Sequence, residues 1–273
     1  MSARRVGLAR AVIAAGAKLQ SLALLVMRPD DLIEFSRQAY AGPLVVQDWG
    51  RPDLVAEGLY PNEEALLARC PVRSGRVLVL DVGGGREAIP LARQGFEVTG
   101  VDFVPEMVSL AVSNAAAQGV ALDGLVQEIS QLDVPPGLYD LVWISSRMYS
   151  SVPTRARRVA MLERVRGALR PGGCFVAMFD WDPTQRATWR GVALRRFVAL
   201  ATLGHVGYEP GDKLLHNAEF IHTFGDERAL REEFEAGGLN VLHLDLPEGG
   251  HGGAVLQKPA SAAAAQPAKE SEQ

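Results

Sequence analysis

Three consecutive glycines, Gly83-Gly84-Gly85, follow the apolar run at residues 77–80 and the acid Asp81, and precede an apolar-periodic segment from Arg86. Glycine at such a point lets the chain turn sharply and lets a ligand approach the backbone without meeting a Cβ. In an α/β sheet that ligand would lie outside the carboxyl ends of the strands. Gly83, Gly85 and Ala88 also satisfy the G-x-G-x-x-G/A spacing of dinucleotide sites, a weak signal on its own. Asp102 ends the next apolar run, about 20 residues downstream, where an acid accepts hydrogen bonds from both hydroxyls of a ribose. Other chemistry is sparser. The histidines His205, His216, His222, His243 and His251 show no ligand-like spacing. Asp180 and Asp182 flank Trp181, but the apolar run Tyr139–Ile144 ends in Ser145-Ser146 and offers no partner carboxylate, so no metal site is expected. Cys70 and Cys174 stand far apart without a CxxC and read as two reduced, buried thiols.

The elements that must position these residues alternate between strand and helix from Arg76 onward. Residues 77–80 read as a strand buried on both faces. A helix at 86–94 ends at Gly95 in a left-handed cap, and residues 97–102 form a second strand. Pro105 suits the first turn of the next helix, whose apolar face is Met107, Val108, Ala111, Val112 and Ala115. Strands follow near 122–127 and at 139–144. The helix from Thr154 carries Val159, Leu162, Val165 and Leu169 on one face. Arg155, Arg157, Arg158, Arg164 and Arg166 lie on the other, which reads as solvated. Pro171-Gly172-Gly173 reads as a turn before a fifth strand at 174–179. Strands alternating with helices imply right-handed crossovers and a parallel sheet. Residues 183–216 read as an insertion holding a second arginine-rich helix and a Gly/Pro loop. A helix at 226–236 and strands at 239–246 and 254–257 close the pattern. The connection at 247–253 has no room for a helix, so the last two strands should pair antiparallel. Ahead of this core, a helix at 3–27 is stopped by Pro29. A shorter helix at 31–40 follows, capped by Asp30 or Asp31, then a loop at 42–62, then a short helix capped by Asn62. The domain organisation expected is a helical lid segment at 1–68, a core at 69–257 and a disordered tail at 258–273.

The stretch from Arg76 to Met107 resembles the first two motifs of class I S-adenosylmethionine-dependent methyltransferases. Glu128-Ile129 stands where that family has an acid followed by a residue that packs on adenine. Tyr139-Asp140-Leu141-Val142 resembles its "FDLV" strand, and Leu169-Arg170-Pro171-Gly172-Gly173 its "L-x-P-G-G" turn. The closing antiparallel pair is also its habit and is untypical of dinucleotide dehydrogenases. The likeness covers about residues 60–257, is closest to bacterial small-molecule methyltransferases, and is more specific jointly than in any one piece. It implies a Rossmann-like α/β fold with a mostly parallel seven-stranded sheet, S-adenosyl-L-methionine as cofactor, and methyl transfer to a small-molecule oxygen or nitrogen acceptor. It places Asp81, Gly83, Gly84, Gly85, Asp102, Phe103, Met107, Glu128, Ile129 and Ser145 around the cofactor. Tyr60, Ser146, Arg147, Trp181 and Asp182 fall on the acceptor side, with His222 and Tyr149 as bases for the acceptor proton. The glycine loop departs from the family pattern acid-x-Gly-x-Gly-x-Gly. In one register Asp81 is the acid and Glu87 replaces the third glycine. In the other, which keeps the following helix at normal length, Asp81 occupies the first glycine position. Asp81 then either crowds the methionine end of the cofactor or accepts its ammonium group. Two rival readings are a non-catalytic S-adenosylmethionine binder and an NAD(P)-dependent oxidoreductase.

The 273 residues fit one α/β domain with additions, and 48% hydrophobic against 22% charged residues supports a sizeable core. A formal net charge of −4 argues against a nucleic-acid partner. With reduced cysteines, a cytoplasmic location is expected. Residues 1–29 hold Arg4, Arg5, Arg10, Lys18 and Arg28 and no acid, interleaved with apolar residues. Lys18 interrupts the run, which is too short to span a bilayer, and no convincing signal-cleavage pattern follows it. Two readings stand for residues 3–28: a helix covering the core, or a basic helix on an anionic membrane surface.

Overall fold

The computed structural model describes residues 2–216 and 218–260; most of the tail anticipated as disordered lies outside the described residues. Five helices precede the sheet: α1 (Ser2–Val26), α2 (Pro29–Tyr40), α3 (Pro43–Trp49), α4 (Pro52–Ala56) and α5 (Pro61–Arg69). The last four each open on a proline in the first turn. Proline there has its φ already set for the helix and forfeits an N–H that no helical carbonyl would have accepted. Residues 42–62, expected as a loop on their glycines and prolines, are instead largely helical, because Pro43, Pro52 and Pro61 start α3, α4 and α5. For the same reason α5 begins at Pro61 with Tyr60 as its cap, not at Asn62, and α2 begins at Pro29.

The core follows as β1 (Gly75–Leu80), α6 (Ala88–Arg93), β2 (Phe96–Asp102), α7 (Pro105–Ala117), β3 (Asp123–Val126), β4 (Tyr139–Ile144), α8 (Arg155–Ala168) and β5 (Leu169–Trp181). Next come α9 (Trp189–Thr202), β6 (Asp212–Leu215), β7 (Glu219–His222), α10 (Glu227–Ala236), β8 (Asn240–Asp245) and β9 (Gly250–Gln257). Seven strands form one sheet in the order β3-β2-β1-β4-β5-β9-β8. Its first four pairings are parallel, and β9 runs antiparallel to both its neighbours; the pairing with β8 is the one that their short connection requires, and β9 begins at Gly250, earlier than the expected 254. Alternate residues along each central strand feed two cores. Val77, Val79, Leu141, Trp143 and Val176 pack against α5, α6 and α7 on one face. Leu78, Leu80, Val142, Ile144 and Phe175 pack against α8 and α10 on the other.

Three further expectations are corrected. Residues 169–173 belong to β5 rather than to a separate turn: Leu169 pairs with Tyr139, and the register shifts before Leu141 meets Cys174. The inserted segment does not end in loop, because β6 pairs antiparallel with β7 as a separate hairpin. Arg158 is not on a solvated face. It is buried, bonded through Nε to Glu233 (2.8 Å) and through Nη2 to Glu209 (3.0 Å).

Gly84 marks where the N-terminal helices meet the core. A Cβ built there would lie 2.1 Å from the carbonyl oxygen of Trp49, at the end of α3. The missing side chain therefore admits the backbone of α3. Gly84→Ala is expected to lower stability by about 1–3 kcal/mol, because the backbone cannot yield as a flexible side chain would. Thermal melting checks this, and an unchanged midpoint would show that α3 does not hold this seat in solution.

Candidate active site

The crossover from β1 into α6 must turn within a few residues, and it does so through left-handed backbone: φ is +54° at Asp81, +51° at Gly83 and +91° at Gly85. Asp81 thus adopts a conformation that glycine takes without strain, as suits the register that seats it at the first glycine. Its Oδ2 is buried with no hydrogen-bond partner among the described residues. Burial, reinforced by the carboxylates of Asp102, Glu128, Glu219 and Glu87, pushes its pKa well above the usual range. Asp102, at the end of β2, joins two loops. Its Oδ2 accepts from the Gly83 amide (3.1 Å) and its Oδ1 from the Val104 amide (2.9 Å). Burial outweighs these bonds and pushes it up to about 6.

A cavity of about 270 Å³ opens over these loops. Its floor includes Asp81, Gly83, Gly84, Asp102, Phe103, Met107 and Ser145, and beside them Ser146, Arg147 and Met148 leave β4. Its roof is contributed by Tyr40 of α2, Trp49 of α3, Leu54 of α4, and Leu215, His216 and Glu219 of the β6–β7 hairpin. Glu128 and Ile129 line a narrow extension on the β3 side, with Tyr40, Asp81, Phe103 and Glu219 shared between the two spaces. The Glu128 carboxylate is already engaged, accepting from the amide (2.8 Å) and hydroxyl (2.6 Å) of Ser130. Glu219 accepts from the Tyr40 hydroxyl, yet its Oε1 is buried without a partner and burial raises its pKa.

Behind the glycine loop lies an ionic cluster. Arg86 donates to both oxygens of Glu63 (2.8 Å each), to the Gly58 carbonyl (2.6 Å) and to Glu87, with the Tyr60 ring 4.0 Å from its guanidinium carbon. Glu87 also accepts from the Ser145 hydroxyl. The residue that stands in place of a third glycine therefore ties the start of α6 to the end of β4.

Several anticipated residues lie elsewhere. Tyr149 is fully buried, with its hydroxyl donating to Glu233 (2.6 Å), and cannot reach the cavity. His222 is also buried outside it, where its Nδ1 meets Asp212 Oδ1 at 2.7 Å and Asp212 Oδ2 meets His205 Nε2 at 2.9 Å. Tyr149 is held by Glu233 and His222 by Asp212 across the β6–β7 hairpin, both outside the cavity, so neither is placed to serve as the acceptor's base. Trp181 is buried against the sheet. Asp182 is on the surface, where it caps Thr184, and Tyr60 sits over Arg86; none of the three lines the cavity. Gly85 lies beneath the loop, facing Ala111 of α7. The sequence reading missed Tyr40, Trp49, Leu54, Leu215, His216 and Glu219. Only the apolar-aromatic content of residues 40–54 hinted at a lid, since the fold alone brings these residues over the loop.

Comparison with known proteins finds relatives of the core that carries this cavity. Residues 77–173, spanning β1 to the start of β5, match the family described as methyltransferase domain. A ubiquinone biosynthesis O-methyltransferase of Paramagnetospirillum magneticum is 39% identical over 169 residues, 61% of this chain and 63% of that protein. The corresponding enzyme of Xylella fastidiosa is 33% identical over 106 residues, 38% of this chain and 42% of its own length. The matches thus span less than two thirds of either relative. Among solved structures, a SAM-dependent methyltransferase of Methanosarcina mazei superposes with a TM-score of 0.56 at 20% identity, covering 75% of this chain and all of that one.

Proposed function

We propose that this chain, which has the class I SAM-dependent methyltransferase fold and carries a methyltransferase domain at residues 77–173, binds S-adenosyl-L-methionine in the cavity over its glycine loop and methylates a small molecule. The observation that carries the reading is the sign of the cavity wall. Asp81, Glu87, Asp102 and Glu219 contribute four carboxylates against two cations, Arg147 and an Arg86 already committed to Glu63 and Glu87, and two buried oxygens, Asp81 Oδ2 and Glu219 Oε1, have no partner among the described residues. Such a wall suits a cation. It repels the pyrophosphate of a dinucleotide, and the Gly83 amide that a phosphate would need already donates to Asp102. In this reading Asp102 holds the ribose hydroxyls, Asp81 faces the cationic end, Phe103, Met107 and Ile129 flank the adenine, and Ser145 borders the methionine end. When bound, the cofactor supplies an electrophilic methyl group on a sulfonium. The chain supplies alignment and exclusion of water, through the roof of Tyr40, Trp49 and Leu54.

The acceptor is read as a lipophilic hydroxyl or amine compound. The apolar roof supports this, as does the O-methyltransferase activity in the names of the relatives. Ser146 and Arg147 border it, and Glu219, held by Tyr40, replaces His222 and Tyr149 as the group placed to take its proton. We also read α1 as a peripheral contact with an anionic membrane surface; no helix among the described residues is long and apolar enough to cross a bilayer.

Calorimetric titration with S-adenosylhomocysteine, with NAD and NADP as controls, tests the cofactor. Micromolar binding of the first alone is expected, and preference for a dinucleotide would overturn the reading. The same titration has a pH signature. Ribose and cation need Asp102 and Asp81 ionised, whereas the free protein favours their protonated forms. The part of the affinity that Asp102 carries should therefore rise as pH increases through about 6, with a proton released on binding below that point, and Asp81, whose pKa burial also raises, adds a rise of the same sign. In the free protein the sign is opposite. Asp102's pKa is raised from 3.8, so its contribution to stability falls as pH rises from 3.8 to about 6 and is constant beyond. A flat affinity profile across this window would mean that Asp102 does not meet the ligand.

A further inference from the structure

Helix α9 presents its apolar side to solvent. Trp189, Phe197 and Leu200 recur at helical spacing and are 75%, 68% and 57% exposed, while the helix's described buried contact with the body of the protein is Ala199. An amphipathic surface helix would be oriented the other way. Helix α1 shows the same anomaly. Leu8, Val12, Leu19, Leu22 and Val26 fall on one stripe at helical spacing and all are exposed, while Leu24 and Leu25 anchor the C-terminal end. The two stripes meet. The His205 amide donates to the Leu25 carbonyl (2.9 Å), and Arg28 Nε donates to the Leu203 carbonyl (3.2 Å), so exposed Val26 and Leu203 end side by side.

The charge around this surface is one-sided. Residues 1–29 hold five Lys or Arg and residues 183–208 hold four, with no acid in either segment, in a chain of net charge −4; the rest therefore carries −13. We infer that α9 joins α1 in a two-helix docking surface for an anionic lipid bilayer. The inference rests on the peripheral-contact reading of α1 and adds α9, which that reading did not include. Exposed Trp, Phe and Leu flanked by Arg are what insertion at the headgroup boundary requires, and the basic excess complements anionic lipid. A second copy of this chain is the poorer occupant, because a two-fold contact would press two acid-free, basic faces together. The placement also suits a lipophilic acceptor, since α9 leads directly into the β6–β7 hairpin that roofs the cavity.

The test is co-sedimentation of the full chain with vesicles of phosphatidylcholine alone or with phosphatidylglycerol at about 2:1, over a range of salt. Binding should be at least about tenfold stronger to the anionic vesicles and should weaken with salt. Phe197→Asp with Leu200→Asp in α9, and separately Leu8→Asp with Val12→Asp in α1, should each lower it about tenfold or more, leaving melting and S-adenosylhomocysteine binding unchanged. Loss in the α1 variant alone would overturn the role of α9 and leave that of α1 standing. No vesicle binding by the unmodified chain would overturn both, as would a dimer in sedimentation equilibrium that the α9 substitutions dissociate.

Discussion

Asp102→Ala is expected to weaken S-adenosylhomocysteine binding by about two to four orders of magnitude, since hydrogen bonds to a charged acceptor contribute about 1.5–3 kcal/mol each and two are lost together. The substitution acts twice. It removes the proposed acceptor for both ribose hydroxyls, and it frees the Gly83 and Val104 amides whose bonds to this one carboxylate fix the β1 and β2 loops relative to each other. Asp102→Asn separates the two effects. An amide oxygen still accepts from one loop, so part of the pre-organisation survives while the charge is gone, and an intermediate loss is expected. Titration calorimetry of both variants reads this out, with melting curves to establish that each is folded. If Asp102→Ala binds within a few-fold of the unmodified chain, the ribose does not lie at the end of β2 and the orientation proposed for the cofactor fails.

Asp102 was legible in the sequence because its signal is local: an acid ending a strand, at a set distance behind a glycine loop. The same holds for β1, β2, β4 and α7, whose periodicity and caps lie within each segment. What was not legible depends on partners remote in the chain. Arg158 looked like one of five solvated arginines because Glu233, the carboxylate that permits its burial, lies 75 positions away. Tyr149 looked like a cavity residue for want of the same partner, whereas His222 has its partner Asp212 only ten positions away, across a hairpin whose first strand the sequence presents as loop. The cavity roof was invisible for a related reason. Tyr40, Trp49 and Glu219 come from three elements that carry no motif and converge only because α3 seats its backbone on Gly84 and the β6–β7 hairpin folds back over the sheet. Glu87 could be seen only as a missing glycine. Its function required the Arg86 and Ser145 contacts to be visible.

That cluster yields the largest expected loss of stability. Arg86 is almost wholly buried and neutralises two carboxylates, the fully buried Glu63 and the largely buried Glu87 at the cavity wall. Arg86→Ala leaves both in place without a counter-ion, and breaking a buried pair from one side costs about 3–5 kcal/mol, a large part of a typical domain's total stability. Arg86→Lys should fall between, because a point charge cannot reproduce the paired bonds to both oxygens of Glu63 together with those to Glu87 and the Gly58 carbonyl. The sign of the pH dependence identifies the cause. Burial already raises the Glu87 pKa and Arg86 holds it down; without Arg86 it rises further, so the alanine variant should regain stability as pH falls through that raised value and the carboxyl becomes neutral. A variant that has merely lost packing would show no such recovery on acidification. Denaturant unfolding of the three proteins at neutral and mildly acidic pH measures both effects. A loss for Arg86→Ala below about 1 kcal/mol would mean that Glu63 and Glu87 find water or another donor, and that the ionic tie from α5 through α6 to β4 does not hold the glycine loop in place.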